Sequence, residues 1–440
     1  MRAALTKFVV RRLKLAYFLV QVIYHLMWRR QDWLFENLTC RKFANLLVAG
    51  TQFVLKSERL RAWPMIAKVD ISPLCNLRCT TCVHAMPSET SNDELKSQHF
   101  HGRQFMTVDQ FQKIVDELAG KTLSIGMYYV GDPLVHPDLD EMCGRAWKAG
   151  LNTHVSTNFS FQLSDERIRS IVESGLTHLT VCVDGLHQET YELTRVGGQI
   201  ARVLDNLERV LKVRRELGRK WPKVEVQYIK FQHNIGDLAE AERRLTALGI
   251  DRFTHFWGQL NNYTDFVPGK FQVRAPKKNS LLPQCYWPYF SLQIKYNGDV
   301  VPCCNFRQGL QYTDSDEQRI VGNVFTHSIW DVWNSPEYQR MRRFVANPER
   351  VKQEAALKAT FCDGCPALFQ TDVQSTSKLG SDHKWEDLYE LDERKHVVRK
   401  PETEQHAIPD TVYQLQILCA IPGETTEEGS GTSEFRNWPD

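Results

Sequence analysis

A chain of 440 residues that is 42% hydrophobic and 25% charged has the size and composition for two or three globular domains, which excludes general disorder, collagen and a small disulfide scaffold. Its 55 Lys and Arg stand against 53 Asp and Glu, a formal charge of +2, so no broad basic field makes nucleic acid a partner. Twelve cysteines, several two or three residues apart, point to thiolate ligation of metal in a reducing, cytoplasmic compartment rather than to secreted disulfides.

The two ends have opposite sign: residues 1–30 carry seven Lys or Arg and no acid, and 401–440 carry eight acids against Arg436 alone. The segment 1–64 reads as helical. Within it Leu15–Trp28 is apolar except for Gln21 and His25 and has basic flanks. Fourteen residues fall short of the roughly 18 to 20 needed to span a bilayer. Two readings stay open, a core helix or an interfacial helix that brings residues 8–30 to the inner face of a membrane.

From residue 65 strands and helices alternate. Apolar runs at Met65–Ile71, Ser124–Val130, His154–Ser156, Leu179–Val183, Val224–Lys230 and Arg252–Phe256 predict strands. Helices are predicted at about 108–119, 138–149, 164–174, 199–216 and 236–247, the first capped by Thr107. This pattern predicts an α/β fold, a partial (β/α)6 barrel over 65–270, with its chemistry on loops at the C-terminal ends of the strands.

Those loops carry the informative residues. Cys75-Asn-Leu-Arg-Cys79-Thr-Thr-Cys82 follows the first strand and Gly131-Asp132-Pro133 the second. Ser156-Thr157-Asn158 follows the third, and Asp184-Gly185 with Arg195-Val-Gly197-Gly198 the fourth. Taken singly, the cysteines could belong to a zinc site and the GDP tripeptide to a turn. Their joint order resembles the radical S-adenosylmethionine superfamily. The resemblance implies a [4Fe–4S] cluster on Cys75, Cys79 and Cys82 with one iron left open for S-adenosylmethionine. It also implies cofactor contacts from Gly131, Asp132, Pro133, Ser156, Asn158, Asp184 and Arg195, the last pairing with the cofactor carboxylate. Thr81 stands where an aromatic residue often packs on adenine.

A second cysteine set follows in 280–370: Cys285, then Gly298 and Cys303, then Cys362-Asp-Gly-Cys365. Strand, Asn297-Gly298 turn and strand over Lys295–Val301 predict a hairpin bringing Cys285 beside Cys303. Four thiolates fit either zinc or a cluster by geometry alone. The spacing resembles the SPASM and twitch extensions, a small cysteine-rich α+β domain, which implies one auxiliary [4Fe–4S] cluster on Cys285, Cys303, Cys362 and Cys365. Cys304 would face away from its neighbour, which leaves packing, the favoured reading, beside a substitute ligand or a proton donor. Cys40, Cys143, Cys182 and Cys419 read as buried thiols, and Tyr286, Trp287, Tyr289 and Phe290 as core around the second set.

The resemblance implies reductive cleavage of S-adenosylmethionine to a 5′-deoxyadenosyl radical that takes hydrogen from an unactivated carbon, with electrons from a flavodoxin or ferredoxin. The auxiliary cluster suggests net oxidation of a small carbohydrate- or alcohol-like molecule. A peptide or protein substrate is the alternative, and a non-catalytic iron–sulfur or zinc protein a second. Catalytic acid–base groups are not assigned, although His84, Asp184 and His255 lie near strand ends. Residues 371–440 read as an acidic, flexible tail, with a short apolar run at Val412–Ile421.

Overall fold

The computed structural model describes residues 9–10, 12–21, 32–79, 82, 84, 104–231, 233–257, 272–303, 320–358, 360, 362–363, 365, 367–372, 389–391 and 397–399. Thr81, Cys304, Cys419, the run Val412–Ile421 and nearly all of the acidic tail lie outside them.

Residues 12–21 are helical, as is α1 (Cys40–Val54), which Thr39 caps by accepting a hydrogen bond from Lys42 N. Phe18 packs on Phe53 with ring centroids 5.2 Å apart, while Leu13 and Val20 on the same helix remain exposed. Among the described residues no helix is long and apolar enough to cross a membrane. Cys40 corrects the expectation of a buried thiol: it opens α1 and is exposed.

Six strands run parallel in chain order: β1 (Ile66–Val69), β2 (Ser124–Gly126), β3 (Asn152–Thr157), β4 (His178–Cys182), β5 (Lys223–Lys230) and β6 (Arg252–Trp257). Between them lie α2 (Val108–Leu118), α3 (Leu139–Lys148), α4 (Asp165–Glu173), α5 (Gln188–Glu192), α6 (Ile200–Glu216) and α7 (Leu238–Ala247). Thr107 and Gln110 form a capping box at the start of α2. One face of the strands, with Ile125, Val155, Leu179, Val181, Val224 and Val226, joins the apolar faces of these helices in a single core.

The opposite face is polar. Side chains alternate along a strand, so Lys68, His154, Thr180, Glu225 and Thr254 share this inner face, joined by Tyr128 just beyond β2. Lys68 Nζ donates to Tyr128 OH at 3.0 Å, and Tyr128 OH lies 3.1 Å from His154 Nδ1. His154 Nε2 lies 2.9 Å from Thr180 Oγ1. Across the sheet, Glu225 accepts from Thr254 Oγ1 at 2.7 Å and meets His178 Nε2 at 3.1 Å. Trp33 stacks on His178 at 4.6 Å and meets His154 edge-on at 5.3 Å, closing this face beside the first residues of the strands.

The sheet curls. Loops after β1 and β4 touch although two strands separate them: Arg78 N donates to Val196 O at 3.1 Å. β7 (Gln272–Pro276) lies in a separate two-stranded sheet. β1 pairs on its other edge in parallel with β8 (Ser291–Ile294), followed by the antiparallel β9 (Asp299–Val301) and β10 (Gly322–Asn323). The second cysteine region thus extends the same nine-stranded sheet. The hairpin β8–β9 turns at Gly298, whose φ of +88 suits glycine, and a Cβ there would lie 2.4 Å from Phe325. The first strand of the hairpin begins earlier than the sequence suggested, because β1 sets its register.

Candidate active site

The three cysteines of the first set sit on the loop leaving β1. Cys79 is buried, and Cys75 and Cys82 are half-buried. Burial pushes the Cys75 thiol up, helped by the charges of Asp132 and Cys79. Burial likewise pushes Cys79 up to about 12, against the pull of Arg195. Burial thus penalises the free thiolate at Cys75 and Cys79, and a cation paired with the sulfurs would remove that penalty.

Gly131 shows why the loop after β2 needs glycine. A Cβ there would lie 2.2 Å from Ser72 O and 2.4 Å from Leu74 O, so two backbones touch where the cysteine loop begins. Asp132 N donates to Leu74 O at 2.8 Å. The Asp132 carboxylate turns inward: it accepts from Thr157 Oγ1 at 2.9 Å, Asn158 N at 2.7 Å and Leu134 N at 3.1 Å. Burial raises its pKa to about 6 despite these donors. Pro133 opens the short turn that follows.

Asn158 joins three loops. Its Nδ2 lies 2.7 Å from Asp132 Oδ2, 2.9 Å from Asn76 Oδ1 and 3.8 Å from Cys75 Sγ. Ser156 stands one inward position below, its Oγ 4.0 Å from Cys182 Sγ. Arg195 Nε donates to Asp184 Oδ2 at 2.6 Å, and Nη1 approaches Cys79 Sγ at 3.8 Å. Burial works against the charge of Arg195, but Asp184 and then Cys79 outweigh it and hold the guanidinium protonated. Asp184 Oδ1 accepts from Ile229 N at 2.9 Å, so both of its oxygens are engaged. The structure therefore ties the four loops to one another, with Asp132 and Asp184 acting as clamps on other side chains.

The cysteines of the second set also lie near one another. Burial pushes the Cys362 thiol well up, and Cys365, Cys285 and Cys303 add to the shift, so all four lie within electrostatic reach. Burial and then Cys365 push Cys285 up to about 12. Cys365 N donates to Cys362 O at 3.2 Å, forming the turn between them. Nearby, the buried Arg342 donates to Pro288 O on α8 (Trp287–Phe290), Trp333 O on α9 (Ile329–Trp333) and Glu58 O, tying α10 (Pro336–Ala346) to the N-terminal segment. Trp287 and Tyr289 pack in the core here, as expected.

Among the described residues no three His, Cys, Asp or Glu side chains converge on a point as one metal ion requires. Cluster ligands bind different irons and need no such convergence. Of the tempting acid–base groups, His84 Nε2 lies 3.2 Å from Val130 O, and His255 is buried beside Phe253 on the helix-packed face. Sequence reading singled out Tyr191 only as part of the stretch from Val183 to Gly198 that carries the resemblance, and it missed the inner polar face. The latter had a signal, polar residues two apart in Lys68/Asp70/Ser72 and His154/Ser156/Asn158.

Residues 69–218 match the radical SAM superfamily, and residues 285–366 match the SPASM iron–sulfur cluster-binding domain. The chain is 25% identical over 343 residues to a tungsten-containing aldehyde ferredoxin oxidoreductase cofactor-modifying protein of Pyrococcus furiosus, covering 69% of this chain and 90% of that protein. It is 26% identical over 311 residues to a PqqA peptide cyclase of Bradyrhizobium diazoefficiens, covering 63% and 75%. Among solved structures it is similar to SuiB of Streptococcus suis, with a TM-score of 0.49 and 15% identity over 68% of this chain and 72% of that one. With its cysteine loop, its inward-clamped βα loops and its second thiol set, this chain belongs to the radical S-adenosylmethionine superfamily and carries a SPASM-type iron–sulfur domain.

Proposed function

We propose that the enzyme oxidises or otherwise modifies a small, hydroxyl-bearing molecule seated against the inner face of the sheet. One observation carries this reading: the face below the cysteine loop is lined by Lys68, Tyr128, His154, Thr180 and Glu225, where barrels ordinarily pack branched apolar side chains. These groups already bond one another, so the wall they make is polar and internally paired, and a hydroxyl-bearing reactant suits it better than an alkyl or aromatic one.

Cys75, Cys79 and Cys82 would hold the radical-generating [4Fe–4S] cluster, and Cys285, Cys303, Cys362 and Cys365 one auxiliary cluster. When bound, the first cluster and S-adenosylmethionine supply the one-electron cleavage that yields a 5′-deoxyadenosyl radical. Gly131 lets its loop approach the cysteine backbone, Asn158 ties that loop to the third strand, and Arg195, aimed by Asp184, presents charge for a carboxylate. The buried surroundings of Asp132, Asp184 and Cys79 keep water from the reacting carbon.

Anaerobic reconstitution should give about eight iron atoms per chain. Replacing the second cysteine set should halve the iron and preserve reductive release of 5′-deoxyadenosine, whereas replacing the first set should abolish release. Mass spectrometry of sugar-derived alcohols after turnover should reveal a product two hydrogens lighter, and a modified peptide instead would overturn the substrate assignment. That second reading, a peptide substrate, draws support from the similarity to the PqqA peptide cyclase.

A further inference from the structure

Buried polar groups nearly always find a hydrogen-bond partner, and an unpaired hydroxyl costs about 1–3 kcal/mol. Two phenols depart from that rule. Tyr191 on α5 and Tyr338 on α10 are each 0% exposed, and neither hydroxyl has a partner. Both rings are held in place. Tyr338 packs on Trp333 at 4.8 Å and lies 5.2 Å from the Arg342 guanidinium carbon. Tyr191 Cε1 is close enough to Gly198 that a Cβ there would lie 2.7 Å away.

The two share a kind of neighbour. Tyr191 meets Leu77, between Cys75 and Cys79, at Gly198, where a Cβ would lie 2.7 Å from Tyr191 Cε1 and 3.3 Å from Leu77 Cδ1, and Cys79 is among the charges it feels. Tyr338 lies against Arg342, which donates to Pro288 O close after Cys285, and Cys303 is among the charges it feels. One cysteine comes from each thiol set. A neutral thiol is a weak acceptor, whereas a cluster-bound thiolate or sulfide carries negative charge and accepts strongly. For Tyr191 the nearby Asp184 is already engaged at both oxygens.

We propose that the hydroxyls of Tyr191 and Tyr338 each donate a hydrogen bond to a sulfur of the neighbouring cluster and thereby raise its reduction potential. This rests on the ligand sets proposed above. Reduction adds one electron and makes the cluster more negative, so a donor stabilises the reduced form more than the oxidised one. The proton stays on the phenol oxygen throughout, and hydrogen bonds to sulfur are among the determinants of cluster potential. Tyr191 and Tyr338 are thus tuning residues, one for each centre.

The test needs no substrate. Full-length protein, reconstituted anaerobically, is titrated against potential with electron paramagnetic resonance detection, for the native chain and for Tyr191→Phe and Tyr338→Phe. Each variant should lower the potential of its own cluster only. The expected effect is a roughly tenfold fall in the reduced-to-oxidised ratio at fixed potential, which for one electron is about 59 mV. Unchanged potentials at full iron content would overturn the proposal. Low iron in the native chain would instead overturn the ligand sets. If a phenylalanine variant fails to fold, 3-fluorotyrosine, a stronger donor of nearly the same size, should shift both potentials upward, and no shift would equally overturn it.

Discussion

Arg195 and Asp184 form a buried ion pair at 2.6 Å, the carboxylate 1% exposed and the guanidinium 14%, and the same guanidinium reaches Cys79. A buried pair broken on one side leaves the other charge without compensation, at about 3–5 kcal/mol. Asp184→Asn should lose about that much stability, read from the urea unfolding midpoint. It should also weaken S-adenosylmethionine binding, measured by calorimetry. Stability within about 1 kcal/mol of the parent would show that Arg195 gains a second counter-charge.

Gly131→Ala should be far more damaging than its size suggests. The Cβ meets two backbone carbonyls, at 2.2 and 2.4 Å, which cannot swing aside as a side chain can. Overpacking of this kind costs about 1–3 kcal/mol. Displacement of the cysteine loop should also lower 5′-deoxyadenosine release at least tenfold, roughly 1.4 kcal/mol or more in activation free energy. Gly236→Ala, where nothing lies within 4 Å, is the control and should change neither quantity.

Trp33 is 5% exposed and stacks on His178 beneath the polar face. Trp33→Ala should cost about 3–5 kcal/mol, measured by thermal unfolding. Burial holds His154 well below its ordinary pKa of 6.5, followed by the charges of His178 and Lys68. Water admitted by the truncation should move that titration upward, a change visible by nuclear magnetic resonance.

His255 supplies a pH dependence. Burial, and then Lys230, lower its pKa from 6.5 to about 4. The folded state therefore binds this proton less well than the unfolded chain. The stabilising contribution is whole above pH 6.5 and is lost as pH falls from 6.5 toward 4. A shift from 6.5 to about 4 corresponds to a loss of about 3 kcal/mol. His255→Gln should flatten the unfolding midpoint over that window, and an unaltered slope would assign the sensitivity to other groups.

The helices and strands that carry loops after β1 to β4 were legible because the outer face of each strand is apolar and the helices have apolar stripes. Ser124–Val130 was read too long: the ladder ends at Gly126, and Val130 N turns to Asp70 Oδ1 at 3.4 Å. The start of β8 was misplaced because its partner, β1, lies far away in sequence, and a register set by a distant strand leaves no local mark. The site residues were legible as a set, but their division of labour was not. Nothing in Gly-Asp-Pro announces that the carboxylate holds Thr157 and Asn158, or that Asp184 aims Arg195, since both depend on distances between loops. Cys40 was misjudged because residue type alone says little about an exposed helix end.

Ile66 to Val69 and Ser291 to Ile294 are joined rung for rung. The strand that launches the first cysteine loop and the strand that leads into Cys303 through its hairpin therefore belong to one continuous beam. A beam of this kind has no pivot. Electrons passing between the two thiol regions would cross a gap fixed by covalent chain and backbone hydrogen bonds, the same in every turnover. A substitution that loosens a rung of that pairing should therefore alter the spacing of the two thiol regions, whereas changes in the loops above it should leave that spacing alone.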